Sequence, residues 1–136
     1  MSSNLSNVIQ FIPPPITGAA SRVELQFDCD GTAQINDIVY QDATNPTKVI
    51  TNVNNTELNI SIGVIIGKPT TTTCVVLILG INDGYTGLSI GSKIFLDIDG
   101  TITETKPSSG YVQILGIAVS TTQIFFFSNA QRVLQV

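Results

Sequence analysis

From Arg22 onward, short apolar stretches alternate with turn residues, and within the stretches apolar positions recur with a period of two. VELQF (Val23 to Phe27) alternates strictly and stops at Asp28-Cys29-Asp30-Gly31. INDIVYQ (Ile35 to Gln41) precedes a turn at Asn45-Pro46, and KVITNV (Lys48 to Val53) follows it. An Asn-rich loop, Asn52 to Asn59, leads to IGVIIG, a Lys68-Pro69 turn and CVVLILG. A Gly-rich connection from Asn82 to Gly87 precedes SKIFLDI, and TITET, YVQILGIAVS, QIFFFS and QRVLQV complete about ten strands. Alternation places successive side chains on opposite faces of a strand. No window carries helical spacing, and β-branched residues are abundant throughout, so the expected class is all-β: a small barrel or sandwich.

Two stretches break the alternation. Val75 to Leu79 and Ile124 to Phe127 are apolar at consecutive positions. Phe125 and Phe127 then face one way, and Ile124 and Phe126 the other. Both faces of these strands need cover, from a second layer or from another subunit.

The two halves echo each other. INDIVYQDATNPTKVIT followed by IGVIIGKPTTTTCVVLIL resembles IGSKIFLDIDGTITET followed by LGIAVSTTQIFFFS. Ile38 aligns with Ile94 and Gly63 with Gly116, which reads as a duplicated β-unit closing into one barrel or sandwich and so protecting its edges.

Residues 1–22 differ. MSSNLSNVIQFIPPPITGAASR places Pro13, Pro14 and Pro15 between Phe11, Ile12 and Ile16. Prolines fix φ, favour an extended conformation and remove ladder donors. This is an arm, with 23–136 as the folded domain, and Phe11 to Ile16 are the candidate partner-binding residues.

Composition sharpens this picture. Apolar residues make up 43 % of the 136 and charged ones only 12 %, about half the usual share. A surface so poor in charge suits a subunit that hides area against copies of itself or a larger assembly. A net charge of −4 with six scattered basic residues argues against nucleic acid as a partner. No apolar run approaches a membrane span, and the first residues lack the pattern of a secretory signal. Cytoplasmic assembly is the expectation. Cys29 and Cys74 are too few and too distant for a disulfide scaffold, and Cys74 begins a strand where a buried free thiol is the default.

The chemical leads are thin. FLDIDGT (Phe95 to Thr101) resembles the nucleophile motif of haloacid-dehalogenase-type phosphatases, with Asp97 as nucleophile and Asp99 as acid/base. That chemistry also needs a following helix, a lysine, a hydroxyl and an acidic pair for Mg²⁺. After Thr101 the chain offers Glu104 and Lys106 and no acidic pair. The physical alternative is a hairpin, with Asp99-Gly100 as its turn. Asp97 and Asp99 lack the later ligands of a calcium loop. With no histidine in the chain, Ser–His and Cys–His constellations cannot form. No catalytic set, metal site or cofactor is expected.

GYTGLSIGSKIFLDIDGTITETKPSSGYVQILGIAVSTTQIFFF (Gly84 to Phe127) as a whole resembles a module of tailed-bacteriophage virion proteins. Its elements are a Gly-aromatic-x-Gly-Leu opening, a Gly-x-x-Ile-Phe-Leu strand, a Gly-Thr-Ile-Thr hairpin with Lys-Pro, and Tyr-Val-Gln-x-Leu-Gly-Ile-Ala-Val-Ser before a final Ile-Phe-Phe. The segment from Phe27-Asp28-Cys29 through Ile62-Gly63-Val64-Ile65 fits the same kind of protein. The resemblance implies a non-enzymatic structural protein on the outer surface of the virion capsid. It would be a homotrimeric head decoration (cement) or head-fibre type, bound to the major capsid protein or other virion proteins. The alternative within the same field is a tail-fibre, baseplate or head-fibre module that binds host-surface glycan, with Tyr85, beside Asn82 and Asp83, as the candidate contact.

Overall fold

The computed structural model describes residues 22–56 and 59–128 and the backbone of residues 133 and 134. The candidate arm residues Phe11, Ile12, Pro13, Pro14, Pro15 and Ile16 lie outside the described residues.

The fold is all-β. Eleven strands occur among the described residues: β1 (Val23–Asp28), β2 (Ile38–Gln41), β3 (Val49–Thr51), β4 (Ser61–Thr70), β5 (Thr73–Asn82), β6 (Lys93–Leu96), β7 (Ile102–Thr103), β8 (Tyr111–Val112), β9 (Ile114–Ala118), β10 (Ile124–Phe126) and β11 (Val133–Leu134). Nine form one curled sheet in the order β3-β2-β4-β5-β10-β9-β6-β7, with β1 beside β5, while β8 and β11 pair separately. All named pairings are antiparallel.

That order contains the duplication. The path β3-β2-β4-β5 is matched by β7-β6-β9-β10, joined where β5 meets β10. Register makes the match residue by residue. Val39 opposes Gly63, and a bulge follows before Tyr40 opposes Ser61. Ile94 opposes Gly116, and a bulge follows before Phe95 opposes Ile114. The equivalent of Ile94 is therefore Val39, one residue on from the Ile38 that sequence alignment selects. Similar apolar residues at adjacent positions hide such a slip, and only the bulge fixes the register.

Both glycines have the same job. A Cβ on Gly63 would overlap the carbonyl oxygen of Leu77, and one on Gly116 would overlap that of Phe125. Each lets the strand pair behind the bulge approach closely enough to keep its ladder.

Three expected boundaries move. Ile35 to Asp37 form a turn rather than the start of β2, because Asn36 adopts φ of 77° and its N–H bonds the Ile65 carbonyl. The turn expected at Lys68-Pro69 lies inside β4, where the ladder is irregular between Gly67 and Thr70, so Pro69 displaces no regular pair. The reversal comes at Thr71-Thr72, closed by the Thr70 and Thr73 hydroxyls. TITET shrinks to the two residues of β7.

Two apolar clusters hold the sheet. The larger contains Ile38, Val64 and Leu77 from the first unit with Ile94, Leu96, Leu115, Ala118, Ile124 and Phe126 from the second. The smaller packs Val39, Val49, Ile65, Cys74 and Val76 beneath Cys29 and Ala33 of the loop after β1. The Lys68 ammonium fastens that loop by donating to the Ala33 carbonyl at 2.7 Å. The second face of the apolar β5 run is thus covered by the chain itself.

A polar tie completes the assembly of the two units. The fully buried Gln113 amide mimics a strand neighbour, accepting from the Ser61 N–H at 3.0 Å and donating to the Ser61 carbonyl at 2.9 Å. Asn52 donates to the Ser61 hydroxyl and the Asn59 carbonyl, both at 2.8 Å, so these buried groups are satisfied.

Gly63→Ala and Gly116→Ala should each destabilise the fold by about 2–3 kcal/mol, the cost of forcing a methyl into a packed backbone contact. Urea denaturation measures this. Substitutions costing less than about 0.5 kcal/mol, the usual surface range, would show that the close approach is not required.

Candidate functional site

FLDIDGT ends β6 and turns the chain. The Asp97 N–H bonds the Thr101 carbonyl at 2.7 Å and the Gly100 N–H bonds the Asp97 carbonyl at 3.0 Å. Gly100 has φ of 87°, so this is a three-residue hairpin loop with its last residue left-handed, one longer than the expected turn. The Asp99 carboxylate accepts from the Thr101 hydroxyl at 2.6 Å and the Thr101 N–H at 3.1 Å. Those bonds, the hydroxyl first, hold its pKa below the ordinary carboxylate value. The Asp97 carboxylate takes the Ile98 N–H at 2.7 Å. Asp28 and Asp30 are likewise engaged, with the Thr47 hydroxyl at 2.9 Å and the Lys48 ammonium at 2.7 Å. Among the described residues, no three His, Cys, Asp or Glu side chains converge to hold a metal ion.

Tyr85 sits where the curled sheet fails to close. The loop carrying it is pinned by Tyr85 N–H to the Thr122 carbonyl and Leu88 N–H to the Thr121 carbonyl, both at 3.1 Å. Its ring packs on the larger cluster, 6.3 Å from Phe126. Its hydroxyl accepts from the Asn82 amide at 2.9 Å, and that amide also reaches Asn36 Oδ1 at 3.1 Å. Burial raises its pKa.

Tyr85 lines a cavity of about 280 Å³ between the two ends of the sheet, with Asn36, Asp37, Thr51, Asn52 and Thr101 as polar neighbours and Ile38 and Ile102 as apolar ones. Asp37 Oδ2 is already bonded to the Gln34 N–H at 2.9 Å and the Thr51 hydroxyl at 3.0 Å. Sequence reasoning placed Tyr85 beside Asn82 correctly. It missed the other polar groups, which come from distant segments and meet only because β3 and β7 are the ends of a curled path.

A third feature is an open sheet face. Lys93 opposes Ile117, Ile117 opposes Phe125, and Phe125 opposes Ile81. Directly opposed residues share a face, so this row crosses β6, β9, β10 and β5 on the side away from the buried Ile124 and Phe126. Phe127 packs beside Phe125, ring centroids 5.9 Å apart and planes tilted by 47°. Ile117 is 37 % exposed, and Val119, just past the end of β9, 43 %. The expected facing of Phe125 and Phe127 against Ile124 and Phe126 is what the structure shows.

Cys29 and Cys74 are both free and buried, and they meet in the smaller cluster. Burial first, then contact with Cys29, pushes the Cys74 thiol up to about 12.

No protein-family model matches this chain, and no curated protein matches it.

The buried thiol and phenol set an alkaline limit. In the folded state both keep protons that an unfolded chain releases near their ordinary values of 9.0 and 10.0. The stability they contribute is complete below pH 9 and is lost as pH climbs from there toward 12. The urea midpoint should therefore fall steadily above pH 9, and Cys74→Ala with Tyr85→Phe should flatten that fall. An identical pH profile in the double variant would refute the assignment.

Proposed function

We propose that this protein is a non-enzymatic structural component of a phage virion, a decoration protein assembled as a homotrimer in the host cytoplasm and seated on the outer capsid surface. The observation that carries this reading is the row Ile81–Phe125–Ile117 with Phe127 and Val119 beside it, half-buried to exposed and uncapped among the described residues, on a chain with only 12 % charged residues. An apolar face of this kind on a charge-poor surface suits a protein that meets partners there. The resemblance of Gly84 to Phe127 to virion modules supplies the biological setting. The arm, through Phe11 to Ile16, fastens each copy to its neighbours. Repetition over many copies converts a modest contact into durable attachment to the major capsid protein.

Serine at Phe11, Ile12 and Ile16, or deletion of residues 1–20, should abolish binding to undecorated capsids in a co-sedimentation assay while the circular dichroism of the β domain is retained. Full binding by both variants would eliminate the arm from attachment.

One observation favours a second reading, in which the protein is a fibre or baseplate module binding host glycan. The cavity beside Tyr85 offers amide, carboxylate and hydroxyl groups against an aromatic ring, a combination that suits a sugar. On that reading a glycan array gives a specific signal, and both Tyr85→Phe and Asp37→Asn weaken it. A blank array, or a signal indifferent to both substitutions, removes this alternative.

A further inference from the structure

The two β-units pack head to tail, and this decides which surface is left over. By register, Ile38, Val64 and Leu77 of the first unit are equivalent to Lys93, Ile117 and Phe125 of the second. Val39, Ile65 and Val76 are equivalent to Ile94, Ala118 and Ile124. The larger cluster joins one face of the first unit to the opposite face of the second. The first unit's other face is capped by Phe27, Cys29 and Ala33. The second unit's remaining face has no such cap among the described residues, although its equivalent in the first unit is at most 3 % exposed.

We infer that this face, the row Ile81–Phe125–Ile117–Lys93 with Phe127 beside it, is the docking surface for the Phe11–Ile16 segment of a neighbouring copy. Dimensions and chemistry both point to that occupant. The row crosses three strand spacings, roughly 14 Å. Six residues in a polyproline conformation extend about 19 Å. Three consecutive prolines offer no N–H to a sheet edge, so the segment is suited to lie on a face rather than to add a strand. Neighbouring aromatic rings such as Phe125 and Phe127, tilted 47° to one another, are the kind of surface on which proline segments dock, and the preset proline geometry lowers the entropy lost on binding. Phe11, Ile12 and Ile16 supply apolar side chains for the neighbouring isoleucines.

The described chain also starts in the right place. Arg22 lies over Gly80, which pairs with Phe126 next to the Ile81–Phe125 pair. Five residues separate Ile16 from Arg22, a reach of about 17 Å. That is enough to carry the segment off the edge of its own sheet and onto an adjacent copy. The inference rests on the self-assembly proposed above, and it adds the receiving surface.

The full chain carrying photoreactive benzoylphenylalanine in place of Phe11 tests this directly. Irradiation in the absence of capsid should give a two-chain band on a denaturing gel, with the cross-link mapped by mass spectrometry to residues 79–81, 117–119 or 125–127. Ile117→Lys with Phe125→Lys removes two apolar contacts and should lower its yield about tenfold with the thermal melt kept close to that of the parent. If that pair unfolds the chain, Ile117→Lys alone gives the same readout, because its side chain is already exposed. Cross-links to any other surface, or to this face within a single chain, would overturn the assignment. Capsid is absent, so such a failure is separable from loss of capsid attachment in the co-sedimentation assay.

Discussion

The burial of one β-unit's face against the opposite face of its duplicate is the constraint from which the rest follows. Neither unit has a core of its own on that side. Each is a short antiparallel sheet that would expose Ile38, Val64 and Leu77, or Ile94, Ala118 and Ile124, to water. Full burial of such side chains is worth about 1.5–3 kcal/mol each, so the shared cluster is the dominant favourable term between the units. The sheet curls around it, and curling brings the ends of the strand path together at β3 and β7. The cavity beside Tyr85 and the contact of Gly100 with the Asn52 backbone are consequences of that closure stopping short.

Head-to-tail packing also explains the fold's asymmetry. If both units used the same face, one core would satisfy both and leave two equivalent outer surfaces. Using opposite faces leaves two different ones, as a heterologous contact always does. The chain meets the first with the loop after β1, held by Lys68, and β1 itself fills the lateral edge of β5. That edge strand is blunted by Glu24 and Gln26 and by the Arg22–Glu24 ion pair, so it resists pairing with other chains. The second surface remains apolar.

Much of this was legible in the sequence, and the limits are physical. Period-two patterning identified the class because alternation is a local property of a strand. The duplication was visible in Gly63 and Gly116, since a close backbone approach tolerates no side chain. Its register was off by one, because Ile38 and Val39 are both apolar and only the bulge in three dimensions separates their roles. The Lys68-Pro69 turn was misplaced for a related reason: proline marks the absence of a donor, which an irregular ladder accommodates as readily as a turn. FLDIDGT was correctly read as a hairpin from its lack of partners, while the loop length depended on a carbonyl contact across the seam. The polar groups around Tyr85 carried no signal, since Asn36, Thr51 and Thr101 are joined only by tertiary closure.

The composition and the topology converge on the same point. The two units share a strand order, a bulge and a glycine, yet equivalent positions in them differ in burial. The difference between them is not strand propensity, which is equal, but the identity of what lies against each face. Val64 and Ile117 occupy equivalent positions and are both β-branched, yet one is fully buried and the other is 37 % exposed. A single exposed apolar side chain is ordinary on a folded surface; Ile117 differs in standing in a row with Phe125 and Ile81, and that row is what the proposed docking uses.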